Sequence, residues 1–287
     1  RAADAGVLLV ARGIDPVNPV ESVSLHLRGE RYRRQARHYD RFGPAGRRMM
    51  RQTAALHVNV DLAGDAMALW RAANASVPFL MAAFANAPRW AGRETGRRSE
   101  RAEQWRHVDP SRTGRFSPGG DADEAVAAYL EFALGADAFL IGPAEEPARP
   151  FRHWLGQGVD VAVWDAHLST LFPEARPRGY LEVRTFDALA DPWWIVPAVV
   201  TCGLLYDPDA VREAATLEAG PCGLERAGRD GVRDAGLREG ALRLLDLALD
   251  GAARRGEAWF GESALAATRE FRDRFTARGR DPGDEGW

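Results

Sequence analysis

The sequence predicts an α+β fold. Two stretches, residues 49–62 and 178–187, alternate apolar and polar residues over strand length, while most of the remaining chain repeats apolar residues at helical spacing. Successive strand side chains point to opposite faces, so each stretch carries an apolar back and a polar front, the pattern of a sheet with one side on a core and the other on a site. Apolar residues make up 46% of the chain and charged residues 28%, as in an ordinary globular protein.

In chain order, residues 1–12 are alanine-rich and read as the end of a helix, turned at Gly13-Ile14-Asp15-Pro16. A connector over 17–29 leads to an arginine- and aromatic-rich segment, 30–42, which reads as a short helix closed by Gly43-Pro44. Its basic face is either solvated or functional. In the strand at 49–62, Thr53, His57, Asn59 and Asp61 share the front, and Ala54, Leu56, Val58, Val60 and Leu62 the back. Residues 65–85 are helical, with Asp65 as cap, a break at Pro78, and Leu69, Trp70, Val77, Leu80 and Phe84 as the apolar stripe.

The glycine- and arginine-rich loop at 86–101 is bracketed by Trp90 and Trp105, which should pin it to a core, and its arginines would form an anion pocket near a sheet face. After a polar turn, 123–134 reads as an amphipathic helix burying alanine, valine, tyrosine and leucine. A short buried strand at 138–141 and a surface loop at 143–150 follow. A helix at 164–171 ends at Phe172-Pro173, and Arg176 and Arg178 deliver the chain into the second alternating strand. There Tyr180, Glu182 and Arg184 share one face and Leu181 and Val183 the other. Taken alone, Glu182 and Arg184 could be a solvated ion pair. Helices are expected over 193–206, 209–217, 237–255 and 262–278, with a glycine-rich connection at 220–236 and a polar, mobile tail from 279.

All 38 basic residues are arginine, and the net charge is −3. A chain that lives on phosphate backbones would carry a basic excess, so a general nucleic-acid role is disfavoured. Arginine suits fixed, bidentate recognition of carboxylates and phosphates. Cys202 and Cys222 make neither a disulfide framework nor a metal knuckle. No apolar run is long enough for a bilayer and no signal peptide opens the chain, so the expectation is a cytoplasmic protein without a membrane partner. The chain opens at Arg1, inside a helical pattern, and reads as a piece of something longer.

The run from Met49-Met50 to Asp61, the Ala85-Asn86-Ala87-Pro88 step, Thr95-Gly96 with Ser99 and Arg101, Asp109 to Gly114, Leu168-Ser169-Thr170-Leu171-Phe172-Pro173, and Tyr180-Leu181-Glu182-Val183-Arg184 occur in an order that resembles glutamate–cysteine ligases. These belong to the ATP-dependent carboxylate–amine ligases, and the likeness is greatest to the actinobacterial branch that serves ergothioneine. The resemblance spans nearly the whole chain. It implies a glutamine-synthetase-like antiparallel sheet with helices on its outer face, a single catalytic domain over residues 1–287, and glutamate, cysteine and ATP as small-molecule substrates with Mg2+. By motif match Glu182 and His57 would bind the metal. Arg184 and Arg101 would act on the transferring phosphate and substrate, and Arg112, Thr53, Asn59, Arg176 and Arg178 would bind substrate. The product, γ-glutamylcysteine, would feed ergothioneine or glutathione.

Two departures stand out. Ala87 replaces a common serine, and the glutamate-bearing strands of relatives lie upstream of where this chain starts. The domain is therefore expected to lack its N-terminal strands, with one glutamate and one histidine too few to hold magnesium. A ligase with another amine acceptor and a non-catalytic binding remnant remain the competing readings.

Overall fold

The alternation at 49–62 forms a strand only in its second half. In the computed structural model, which describes residues 2–113, 116, 118–256 and 258–285, helix α1 (Glu30–Tyr39) is followed by α2 (Ala45–Gln52), and strand β1 covers Ala55–Asp61. Arginine, methionine and glutamine are good helix formers, which is why 49–52 joins α2. The Thr53 hydroxyl then donates to the Met49 carbonyl at 2.7 Å as the chain leaves it. The helix expected over 1–12 is a single 3-10 turn at Ala3–Ala5, uncapped by any side chain, and residues 7–10 run on exposed. One uncapped turn cannot offset the cost of nucleation. The basic face of α1 is not simply solvated: Gln35, His38 and Tyr39 are buried, Arg34 reaches the Gly142 carbonyl, and Arg37 reaches Glu145 of the loop at 143–150.

Helix α3 (Ala66–Ala83) begins where expected, with the Asp65 carboxylate accepting from the Met67 and Ala68 backbone N–H groups at 3.0 Å. It runs through Pro78 without a break. All five stripe residues named from the sequence are buried. Strands β2 (Arg89–Trp90) and β3 (Arg93–Glu94) form a tight hairpin across Ala91 and Gly92, both at positive φ, as a two-residue turn demands. Helices α4 (Glu100–Arg106) and α5 (Pro110–Thr113) follow; Gly114, the last residue of that motif, lies outside the described residues.

Helix α6 (Ala122–Gly135) opens with a capping box between Asp121 and Glu124. Its valine and one leucine are not core: Val126 and Leu130 are 52% and 45% exposed, and the buried contacts are Ala125 and Ala133. Residues 138–141 form a turn rather than a strand, beside an isolated bridge between Asp137 and Pro150. Helix α7 spans Val161–Leu168. Strand β4 (Ala175–Pro177), not foreseen, turns at Gly179 into β5 (Tyr180–Asp187). Beyond it lie α8 (Val196–Leu205), α9 (Pro208–Ala214), α10 (Gly223–Asp230), α11 (Ala235–Arg255) and α12 (Glu262–Arg274). Helix α10 occupies the segment expected to be a connection, because its glycines meet neighbours closely: a Cβ on Gly223 would stand 2.6 Å from that of Ala219.

The sheet is antiparallel, in the order β1-β5-β4. Its back carries Val58, Val60, Leu181, Val183 and Phe186 into one large core with α3, α8, α11 and α12. Phe84 meets Phe186 edge-on at 5.1 Å and stacks on Phe271 at 4.7 Å. Helices α8 and α11 cross backbone to backbone, since a Cβ on Gly203 would lie 2.1 Å from the Ala248 carbonyl oxygen and one on Gly251 2.1 Å from that of Gly203. The tail expected to be mobile is stitched down as far as Glu285: Arg98 Nε donates to buried Asp281 at 2.6 Å, and Arg12 donates to the carbonyls of Pro282 and Glu285. Gly286 and Trp287 lie outside the described residues. Among the described residues, both cysteines are free and no helix is long and apolar enough to cross a membrane.

Candidate functional site

The front of the sheet owes its chemistry to a bulge. Asn59 pairs with Glu182 and Val58 with Val183, but Leu56 pairs with Phe186, so Arg184 and Thr185 both stand opposite His57. An extra residue on one strand reverses the alternation beyond it. Phe186 accordingly turns into the core, fully buried, and Asp187 joins the front opposite Ala55. Strict alternation from Glu182 and Arg184 would have placed them the other way round.

Glu182 is the nearer of two charge centres. Its Oε2 accepts from Arg176 Nε at 2.7 Å and from Arg184 Nη1 at 2.9 Å, while Oε1 lies 3.6 Å from His57 Nδ1, beyond hydrogen-bonding distance. Burial alone would raise this carboxyl's pKa, but Arg184 and Arg176 outweigh it and hold the group well below the usual carboxylate range. Burial lowers the pKa of His57, and Arg184 and Arg101 lower it further against the pull of Glu182, so its imidazole is neutral at pH 7. Arg184 sits with its guanidinium carbon 5.4 Å from the rings of both Trp105 and Phe172, and its Nε is buried without a hydrogen-bond partner.

Asp187 is the other centre. It accepts from the Asn86 backbone N–H at 2.7 Å, from the Ser99 hydroxyl at 3.1 Å and from Arg101 Nε. Gly13 presses against it so closely that a Cβ there would fall 2.4 Å from the carboxyl carbon. The Arg101 Nη2 donates to the Thr185 carbonyl at 2.8 Å, so this guanidinium is fixed in orientation. Ser99 also caps α4, which carries Arg101, by accepting from the Ala102 N–H.

A cavity of about 350 Å³ opens over these groups. Arg101, Trp105, Phe172 and Arg184 form one side, Thr53, Ala55 and His57 the sheet edge, and Arg31, Tyr32 and Gln35 of α1 the facing wall. Arg31 is held there by Ser169, through its hydroxyl at 2.7 Å and its carbonyl at 3.2 Å. Three arginines from three elements thus meet around one space, the arrangement of an anion site.

Of the residues named from the sequence, Arg184, Arg101, His57 and Thr53 line the cavity, and Glu182 and Arg176 adjoin it through their hydrogen bonds. Asn59 lies further along β1, exposed. Two others are elsewhere. Arg112 is fully buried, bonded to Asp109, Thr170 and the Asp137 carbonyl and packed 4.7 Å over Phe139, so it has no edge left for a substrate. Arg178 is exposed at the turn between β4 and β5. Sequence reasoning missed Arg31, Gln35 and Phe172 as cavity walls and Asp187 as the anchor of Arg101. The dense arginine segment at 30–42 carried a signal for the first, but nothing local said which of its arginines faces inward.

The donors expected to hold magnesium do not fit it. A hard dication takes about six oxygen ligands, whereas Glu182 is engaged by two arginines and His57 offers nitrogen. Among the described residues no group of three or more histidine, cysteine, aspartate or glutamate side chains could hold a metal.

A family model, glutamate-cysteine ligase family 2, matches residues 1–246. The chain is 33% identical to the glutamate–cysteine ligase EgtA of Mycolicibacterium smegmatis, a match that covers 94% of this chain and 68% of that protein. Against EgtA of Mycobacterium tuberculosis it is 33% identical, covering 86% and 60%, and against the chloroplastic glutamate–cysteine ligase of Arabidopsis thaliana 30%, covering 89% and 53%. The chain thus spans between about half and two thirds of the length of these relatives. A match over most of its length, together with an arginine-lined cavity on the motif-bearing strands, places the chain in the glutamate–cysteine ligase family.

Proposed function

We propose that the protein carrying this sequence joins the side-chain carboxylate of glutamate to the amine of cysteine, using ATP and passing through γ-glutamyl phosphate. The observation that carries this reading is the convergence of Arg31, Arg101 and Arg184 on one cavity. Phosphoryl transfer calls for positioning and charge neutralisation more than for covalent help from the protein. Arg184, wedged against two aromatic rings with its Nε free, would hold the transferring phosphoryl group. Arg101, locked by Asp187, would fix an acidic substrate group beside it, and Arg31 would meet a carboxylate from the far wall. Glu182 keeps Arg176 and Arg184 in place. His57 stays neutral, and Thr53 and Asn59 supply uncharged hydrogen bonds.

The sheet order β1-β5-β4 is read as part of a glutamine-synthetase-like sheet, and the 287 residues as belonging to one catalytic unit. The donors present do not accommodate the magnesium that such chemistry uses. The likeness to the two EgtA proteins favours ergothioneine over glutathione as the destination of the product.

The test is ADP release from ATP with magnesium and glutamate, with and without cysteine, using the whole gene product and its Arg184→Met variant. Cysteine-dependent release, reduced at least about a hundredfold by the substitution, is the expected result. Release that follows a different amine would transfer the reading to another acceptor, and glutamate binding without release under any amine would favour a binding protein.

A further inference from the structure

A second cavity, of about 480 Å³, lies between the loop after β1, the start of α3, and helices α8, α9 and α11. It shares no lining residue with the arginine-lined cavity. Its size is that of a small-molecule site, and its floor is apolar, built from Leu69, Leu205 and Val211. The charge at its mouth comes from three side chains, two of them already committed. Asp65 spends one carboxylate oxygen on the first N–H groups of α3, and Arg212 pairs with Asp209.

Arg255 is different. Its side chain is exposed, its guanidinium carbon lies 5.6 Å from the Tyr206 ring and 5.1 Å from that of Trp259, and its Nη2 donates to the Tyr206 carbonyl. Its Nε and Nη1 have no protein hydrogen-bond partner among the described residues. A guanidinium oriented by two rings and a carbonyl, with open donors above an apolar floor, recognises one chemistry well: a negative, planar head on a hydrocarbon body. An uncharged apolar ligand would leave those donors unused, and a cation would gain nothing from Arg255. We infer that this cavity binds an amphipathic monocarboxylate, with its apolar part against Leu69, Leu205 and Val211 and its carboxylate on Arg255. The Tyr206 hydroxyl accepts the Asp61 backbone N–H at 2.9 Å, so the cavity also borders the end of β1.

Calorimetric titration with decanoate, and with decylamine as a cation of equal length, tests the assignment on the whole gene product. The expected result is saturable binding of decanoate alone. Arg255→Ala should weaken it by about tenfold or more, as loss of a charge-assisted contact does. Ala68→Phe, which puts a ring into the cavity from a partly exposed position, should abolish it. Circular dichroism on both variants verifies folding. The inference is overturned if decanoate gives no saturable heat, if decylamine binds equally well, or if a folded variant of either kind binds decanoate as the parent does. The comparison of the two probes on the parent chain decides the matter even if a variant fails to fold.

Discussion

Glu182 and Asp187 lie five residues apart on one strand, both buried and both facing arginine, yet they do different work. Asp187 joins β5, α4 and the Asn86 backbone in one knot. Removing it leaves Arg101 buried and unpaired, so Asp187→Ala should cost about 3–5 kcal/mol in urea unfolding. A loss under 1 kcal/mol would mean that Arg101 has other means of support. Glu182 instead offsets Arg176 and Arg184 beside an open cavity. Glu182→Gln removes that offset, and without metal it should tighten ATP binding by about tenfold in an equilibrium titration. Unchanged or weaker binding would show that the phosphate does not meet these arginines. At this scale the sequence disclosed Glu182 and Arg184 well, because both sit inside an alternating run. It did not disclose Asp187, whose face depends on a bulge, nor the burial of Arg112, whose partners Thr170 and Asp137 are distant in sequence.

Elements were legible where their signals are local. The Asp65 cap, the stripe of α3 and, on the strand backs, Val58, Val60, Leu181 and Val183 could be read from spacing alone. What failed was decided by tertiary contact. Glycine-rich 220–236 holds α10 because close packing, rather than flexibility, demands small residues there, and 49–52 went to a helix because helix propensity competed with an alternation that was only apparent. The crossing of α8 and α11 belongs to the same class. Gly203→Ala forces a methyl group into the Ala248 carbonyl, and the strain should cost about 1–3 kcal/mol, measured as a lower denaturation midpoint with an unchanged slope. Gly119→Ala, which meets nothing within 4 Å, is the control and should be near neutral.

For the molecule as a whole, acid stability has a named contributor. His167 is buried beside the Ala133 carbonyl at 2.8 Å, and burial pushes its pKa down to about 4 from an ordinary 6.5. A base whose folded pKa is lowered stabilises the fold fully above its unfolded pKa, and that contribution fades as the pH falls from 6.5 toward 4. The loss should reach on the order of 3 kcal/mol, and urea melts of His167→Gln should show a correspondingly flatter pH dependence over that range. The α+β class was visible from the outset because both strands and most helices carry their own periodicity. The packing of the tail was not, since Arg98 and Asp281 sit 183 residues apart and no spacing rule links them. The glycine crossing bears on how such a chain can diverge. When two side chains touch, one can grow as the other shrinks, and paired changes across related sequences betray the contact. Gly203 and Gly251 have nothing left to give up, and the opposing atoms are peptide carbonyls that no substitution removes. A method that searches for correlated change would find no signal at this contact, although α8 and α11 come closer here than side chains would permit.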